Sequence, residues 1–260
     1  MNTFGVPGAD LAVELSDEGG HPVVQLHGLT SSRSRDRVLD LDLGRGLNGT
    51  RLLRYDARGH GHSTGRPDPE HYRWPNLADD LLRLLDRWFP GERVHGVGPS
   101  MGTATLLHAA VREPDRFSGL TLLVPPTAWA TRVAKGDDYR AAAHLIEQQG
   151  LEVFLEAGRL APVPPATAGL PDTQPDVDVS LLPALFRGAA SSDLPPPDDI
   201  ARITTRTTIL AWTGDPAHPL STAETLLALL PSATLSVATT RADLERWPAI
   251  LAADVARHGS

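Results

Sequence analysis

Arg93-Val-His-Gly-Val97-Gly98-Pro99-Ser100-Met101-Gly102-Thr103-Ala-Thr-Leu-Leu-His-Ala-Ala-Val111 is the stretch that decides the fold. Its first five residues read as a short strand, and Thr103–Val111 reads as a helix of small and apolar residues. Between them Ser100 stands with a glycine two residues away on either side. A sharp strand-to-helix turn leaves no room for side chains at those two places. Such a turn lifts the Ser100 hydroxyl to the top of a sheet and aims the next helix N-terminus at it, where developing negative charge is favoured. Pro99 pushes Gly98 towards extended backbone, which suits a strand end. A Gly-rich turn with a helix-capping serine is the plainer alternative.

Working outward, Leu11–Leu15 alternates like a half-buried strand, Val23–Leu26 is a second, and Arg51–Tyr55 a third. Charged residues mixed with Val38, Leu39, Leu41 and Leu43 suggest a helix within 34–47. From Asn76 to Phe89 the apolar residues fall at helical spacing, and Pro90-Gly91 stops the run. Leu120–Val124 is a nearly continuous apolar strand, as expected for one buried on both faces. Strand–helix alternation of this kind predicts an α/β protein with a mostly parallel central sheet and flanking helices. The rhythm breaks over 127–199, where helices near Tyr139–Gln149 and Leu151–Leu160 precede Pro-rich segments. That range reads as an inserted, mainly helical cap, with a core made of 1–126 and 200–260. The rhythm resumes with strands at Thr207–Trp212 and Ala233–Ala238, a helix over Thr222–Leu230, and a final helix over Ala242–Arg257.

Composition excludes several classes. The 260 residues carry a net charge of −8, with no basic footprint for nucleic acid and no polybasic membrane patch. There is no cysteine, hence no disulfide, thiolate nucleophile or Cys-based zinc site. No apolar run approaches the ~18 residues of a membrane span, and Met1–Asp10 does not read as a signal peptide. A cytoplasmic location and a GC-rich bacterial source are the simplest expectations, with a small molecule as partner. No cofactor is called for. His60-x-His62 lacks a third ligand, so no metal is expected either.

On these residues the chain resembles the α/β-hydrolase superfamily over nearly its whole length. Three further motifs carry the resemblance: His27-Gly28-Leu29 after an early strand, Asp56-Ala-Arg-Gly-His-Gly-His-Ser63, and Trp212-Thr-Gly-Asp215-Pro-Ala-His218-Pro219 after a late one. The resemblance implies Ser100 as nucleophile and Asp215 as its acid, with a surface-turn aspartate as the alternative for the latter. Pro125 and Pro126 fill the other position from which an acid could come. It also implies the Leu29 and Met101 amides as oxyanion donors, each worth roughly 3–4 kcal/mol by analogy. The Asp56–Ser63 loop reads as structural, with internal ion pairing and a serine cap. In this superfamily the histidine follows the last strand, yet Ala238–Asp243 contains none. After Asp215 the candidates are His218, on the acid's own loop, and His258 in the C-terminal tail. His218 is the better base, although its orienting partner need not be Asp215; His60 and His62 are weaker alternatives. Acyl transfer to water on an ester or thioester of a hydrophobic small molecule is the expected chemistry. A non-hydrolytic fold member (lyase, isomerase, cyclase or binding protein) in which Ser100 only hydrogen-bonds the ligand is the other reading. Dehalogenation and epoxide opening need an aspartate at the elbow and are set aside.

Overall fold

The computed structural model describes residues 2–257. Eight strands form one sheet: β1 (Asn2–Val6), β2 (Ala9–Asp17), β3 (Pro22–Gln25), β4 (Arg51–Tyr55), β5 (Val94–Pro99), β6 (Phe117–Leu123), β7 (Thr207–Trp212) and β8 (Ala233–Ala238). Their order is β1-β2-β4-β3-β5-β6-β7-β8. β1 pairs antiparallel with β2, and β2 with β4, while every later pairing is parallel. The carboxyl ends of β3, β5, β6, β7 and β8 therefore share one edge, where ligands bind in open sheets of this kind.

Helices cover both faces. α1 (Arg33–Val38) follows β3, α2 (Trp74–Trp88) precedes β5, and α3 (Met101–Arg112) follows it. On the α2–α3 face Leu77, Leu81, Leu84, Leu85 and Leu106 are buried against Leu11, Leu53 and Leu120. Each such leucine contributes roughly 1.5–3 kcal/mol on full burial. Val23, Val97, Leu123 and Leu210 face the other way, against Trp247 and Leu251. A strand buried on both faces has no polar side to show, which is why β6 reads as an unbroken apolar run.

Between β6 and β7 the described chain forms no named strand. It carries α4 (Arg132–Gln149), α5 (Leu151–Gly158), α6 (Leu182–Ala190) and α7 (Pro197–Ile200). α4 starts seven residues before the expected Tyr139; Gly136, a poor helix former, masks this part of the helix in the sequence but suits the close approach of α6. A Cβ there would stand 3.1 Å from the Ala190 carbonyl of α6. α6 itself is not apparent from sequence, since Pro183 opens it and Gly188 interrupts it. A Cβ at Gly188 would stand 2.6 Å from the Pro69 carbonyl.

After β7 come α8 (Leu220–Leu229), α9 (Arg241–Leu244) and α10 (Trp247–Ala256). The single final helix expected over 242–257 is thus broken in two. Pro248 lies in the first turn of α10, where its missing N–H costs nothing; inside a continuous helix it would clash with the preceding turn. The helix expected within 34–47 is likewise shorter. Asp40 adopts φ 56°, and a 3₁₀ turn over Leu43–Gly46 replaces the remainder. Among the described residues no helix is long and apolar enough to cross a membrane.

Candidate active site

Ser100 joins β5 to α3 at φ 53°, ψ −108°, a strained conformation for a residue with a Cβ. Both flanking glycines are required by close approach. A Cβ on Gly98 would come within 2.9 Å of Leu26 Cβ and 3.2 Å of Gly102 Cα. One on Gly102 would come within 3.0 Å of Leu26 Cβ and 3.1 Å of the His27 carbonyl. The turn is fixed by the Ser100 N–H donating to the Leu123 carbonyl (2.9 Å) and by Thr103 Oγ1 donating to the Gly98 carbonyl (2.8 Å). The Ser100 hydroxyl caps no helical amide, so the capping-serine alternative does not hold.

That hydroxyl instead meets His218: Oγ lies 2.8 Å from Nε2. His218 Nδ1 lies 2.7 Å from Asp215 Oδ2. A carboxylate can only accept, so the ring proton sits on Nδ1 and the Nε2 lone pair faces the serine. Three residues of separation suffice because the loop after β7 is a tight turn. Gly214 takes φ 78°, Asp215 Oδ1 accepts the Ala217 N–H (2.9 Å), and the His218 N–H returns to the Asp215 carbonyl (3.1 Å). The Thr127 N–H donates to the Ala217 carbonyl (3.1 Å), tying this loop to the chain beyond β6. Asp215 is therefore the partner of His218, and a separate orienting acid is not needed.

Trp212 is a contributor that sequence reasoning did not single out. Its indole N–H donates to Asp215 Oδ2 (2.9 Å), and its ring stacks on Trp247 at 5.9 Å. Burial pushes the Asp215 carboxyl up, but the His218 contact and the Trp212 and Ala217 N–H groups outweigh it and hold it at about 2. A carboxylate ionised at every working pH suits it to steady a ring that becomes charged.

Gly28 lies against the elbow, its missing Cβ 3.8 Å from Ser100 Cβ. Its carbonyl accepts from His27 Nδ1 (2.8 Å) and from the Ser31 N–H (3.1 Å). Met101 is the first residue of α3, so no carbonyl of the helix can take up its amide. His27 and His60 are framework residues here. His27 Nε2 accepts the Ala57 N–H (2.9 Å) and His60 Nε2 the Thr30 N–H (3.2 Å). Burial lowers both imidazoles, His60 to about 3. His60 is thus committed elsewhere, and His62 is exposed. His258 lies outside the described residues.

The Asp56–Ser63 loop is structural, but its ion pairs are not internal. Asp56 pairs with Arg33 (3.1 Å) and Arg58 with Asp80 (2.6 Å), because the turn aims the two side chains at different neighbours. Ser63 caps no helix; its hydroxyl donates to the Asp56 carbonyl (2.6 Å) and accepts the Ala12 N–H (2.8 Å). In the loop after β8, Thr240 and Asp243 form a capping box that opens α9. A cleft of about 460 Å³ is bounded by Leu39, Leu41, Val163, Leu170 and Trp212 and reaches Asp215, though not Ser100 or His218. Among the described residues no group of three or more His, Asp or Glu is disposed to hold a metal.

The model of the alpha/beta hydrolase fold family matches residues 21–149. A protein of Bacillus subtilis (strain 168), provisionally named 2-succinyl-6-hydroxy-2,4-cyclohexadiene-1-carboxylate synthase, is 28% identical over 162 residues. That match spans 60% of this chain and 57% of the relative, little more than half its length. Among solved structures, the enol-lactonase from Burkholderia xenovorans LB400 superposes with a TM-score of 0.78 at 21% identity, covering 98% of this chain and 100% of that one. MenH from S. aureus does so with a TM-score of 0.79 at 17% identity, covering 95% and 99%. At those identities the two structures establish a shared fold.

Proposed function

We propose that this chain, whose fold is that of the α/β hydrolases, is a serine hydrolase acting on an ester or thioester of a hydrophobic small molecule. The observation that carries this reading is the contact of His218 Nε2 with Ser100 Oγ at 2.8 Å, backed by Asp215 at 2.7 Å. A base at hydrogen-bond distance from a hydroxyl, oriented in turn by a carboxylate, is the arrangement that activates a serine.

In the proposed reaction Ser100 Oγ attacks the acyl carbon while His218 Nε2 takes its proton. The carbonyl electrons move to oxygen, where the Leu29 and Met101 amides and the α3 N-terminus stabilise the charge. Collapse expels the alcohol or thiol, which receives the proton from His218, and leaves Ser100 acylated. Water then attacks with His218 again as base, releasing the acid and restoring the hydroxyl. Residues 127–199 serve as the cap over this edge, and the apolar cleft beside Asp215 favours an apolar group on the substrate.

The B. subtilis relative favours a second reading, because its name is that of a synthase rather than a hydrolase. There Ser100 would hydrogen-bond the ligand and never be acylated. A fluorophosphonate probe separates the two. The hydrolase reading predicts one phosphonyl adduct per chain on Ser100 by mass spectrometry and none on Ser100→Ala. A folded wild-type protein that stays unlabelled would overturn it in favour of the second.

A further inference from the structure

Leu29 is followed by Thr30 at φ 62°, a left-handed conformation that a β-branched residue adopts only when its surroundings impose it. The surroundings are unusually complete. The Thr30 N–H donates to His60 Nε2 (3.2 Å), and its carbonyl accepts from the Asp176 N–H (2.9 Å) and from Arg35 Nη1 (3.3 Å). Asp176 belongs to the range between β6 and β7, far away in sequence. Its carboxylate accepts from Ser32 Oγ (2.5 Å), and its carbonyl accepts the Gly61 N–H (2.7 Å). Arg35 reaches the same segment from α1, with Nε on Thr173 Oγ1 (2.9 Å) and Nη2 on the Thr173 carbonyl (3.3 Å). Val177 completes the contact through a bridge to His60.

The loop thus held contains the Leu29 amide. That N–H shares a trans peptide unit with the Gly28 carbonyl, so the two point in opposite directions. With the carbonyl turned to His27 and Ser31, the N–H faces the other way. The Leu29 side chain packs against the main core and against two smaller apolar clusters, one holding Leu182 and Phe186 of α6 and the other Tyr72 and Leu185. The 173–190 region therefore contributes to holding both the backbone and the side chain of this residue.

We propose that Thr173–Val177 is a positioning strap. Asp176 through Ser32, and Arg35 through Thr173 and Thr30, hold the Leu29 amide where an oxyanion would need it. This rests on the hydrolase reading above, and it gives the 127–199 range a role in rate as well as in covering the site. Neither residue touches the reacting atoms, but Arg35 also lines the cleft beside Asp215, so the split between kcat and KM is read on Asp176, whose removal lowers kcat and leaves KM nearly alone.

The test uses the full chain, with an activated ester as substrate and hydrogen exchange of the Gly28–Ser32 amides read by mass spectrometry. Arg35→Met keeps the apolar stem and removes the guanidinium. Asp176→Ala removes the carboxylate, and Asp176→Asn retains an acceptor for Ser32. The first two should lower kcat by about tenfold or more, short of the roughly 10²–10³ lost with an oxyanion donor itself, with KM within about twofold for Asp176→Ala. The Gly28–Ser32 amides should exchange faster in both, and Asp176→Asn should recover most of the loss. Faster exchange with unchanged kcat would overturn the proposal, as would unchanged exchange. If Arg35→Met fails to fold, the Asp176 pair carries the test. A wild-type protein without turnover would refute the hydrolase reading; the exchange comparison would then decide by itself whether the strap holds the loop.

Discussion

Asp36, on α1, is almost wholly buried, with Oδ1 accepting from Ser31 Oγ and Oδ2 without a hydrogen-bond partner among the described residues. Burial pushes its carboxyl up from 3.8 to about 7, against the opposing pull of Ser31 and Arg35. The folded protein therefore keeps a proton that the unfolded chain gives up above pH 3.8. Stability linked to Asp36 is fully present below that pH, falls as pH rises towards 7, and is lost beyond it. Asp36→Asn keeps an acceptor for Ser31 and cannot ionise. Its melting temperature should exceed that of the wild type at pH 8, with the advantage shrinking by pH 5; thermal unfolding at the two pH values checks this. A constant difference would mean that Asp36 does not titrate in this range. A neighbouring residue shows how little of such chemistry is visible in sequence. Arg35 is one of many arginines until Thr173, 138 positions away, is brought to its guanidinium.

At the scale of elements, the elbow works because β3 and α3 approach each other over two glycines. Gly102→Ala introduces a Cβ 3.0 Å from Leu26 Cβ and 3.1 Å from the His27 carbonyl, between the first turn of α3 and the chain leaving β3. Overpacking of this kind costs roughly 1–3 kcal/mol. The expected outcome is a lowered melting temperature together with a larger fractional loss of the proposed turnover of an activated ester, because the shift falls on the Ser100 turn. Wild-type stability and activity would show that the turn has slack. The elements that could be read from sequence are those whose burial imposes a period: β4, β7 and β8 match their expected bounds, and α2 lies within two residues of its own. Those that could not, α6 and the short edge strand β1, depend on tertiary partners. A helix opened by proline and crossed at Gly188 has a weak intrinsic signal, and β1 forms because β2 offers it an edge. The break between α9 and α10 was legible in Pro248, which is a helix stop when read in its own right.

Across the whole molecule, the parallel sheet brings Gly28, Ser100 and the 213–219 loop to one edge from three separate strands. The motifs announced that convergence, since each follows the carboxyl end of a strand. What spacing alone could not tell was that a histidine three residues beyond Asp215 would reach the Ser100 hydroxyl. That depends on an aspartate-anchored turn folding back on itself beneath Trp212, a property of geometry rather than of pattern. The loop after β8 holds no histidine, and its Thr240–Asp243 box opens α9. The central claim, that Ser100 is activated by His218 from the acid's own loop, is tested most directly by kcat/KM on one activated ester for the wild type, Ser100→Ala and His218→Ala. The two variants should fall together, by on the order of 10³-fold or more, since residues of such a unit lose nearly the same activity singly as jointly. A dead Ser100→Ala beside a His218→Ala of near wild-type activity would contradict it.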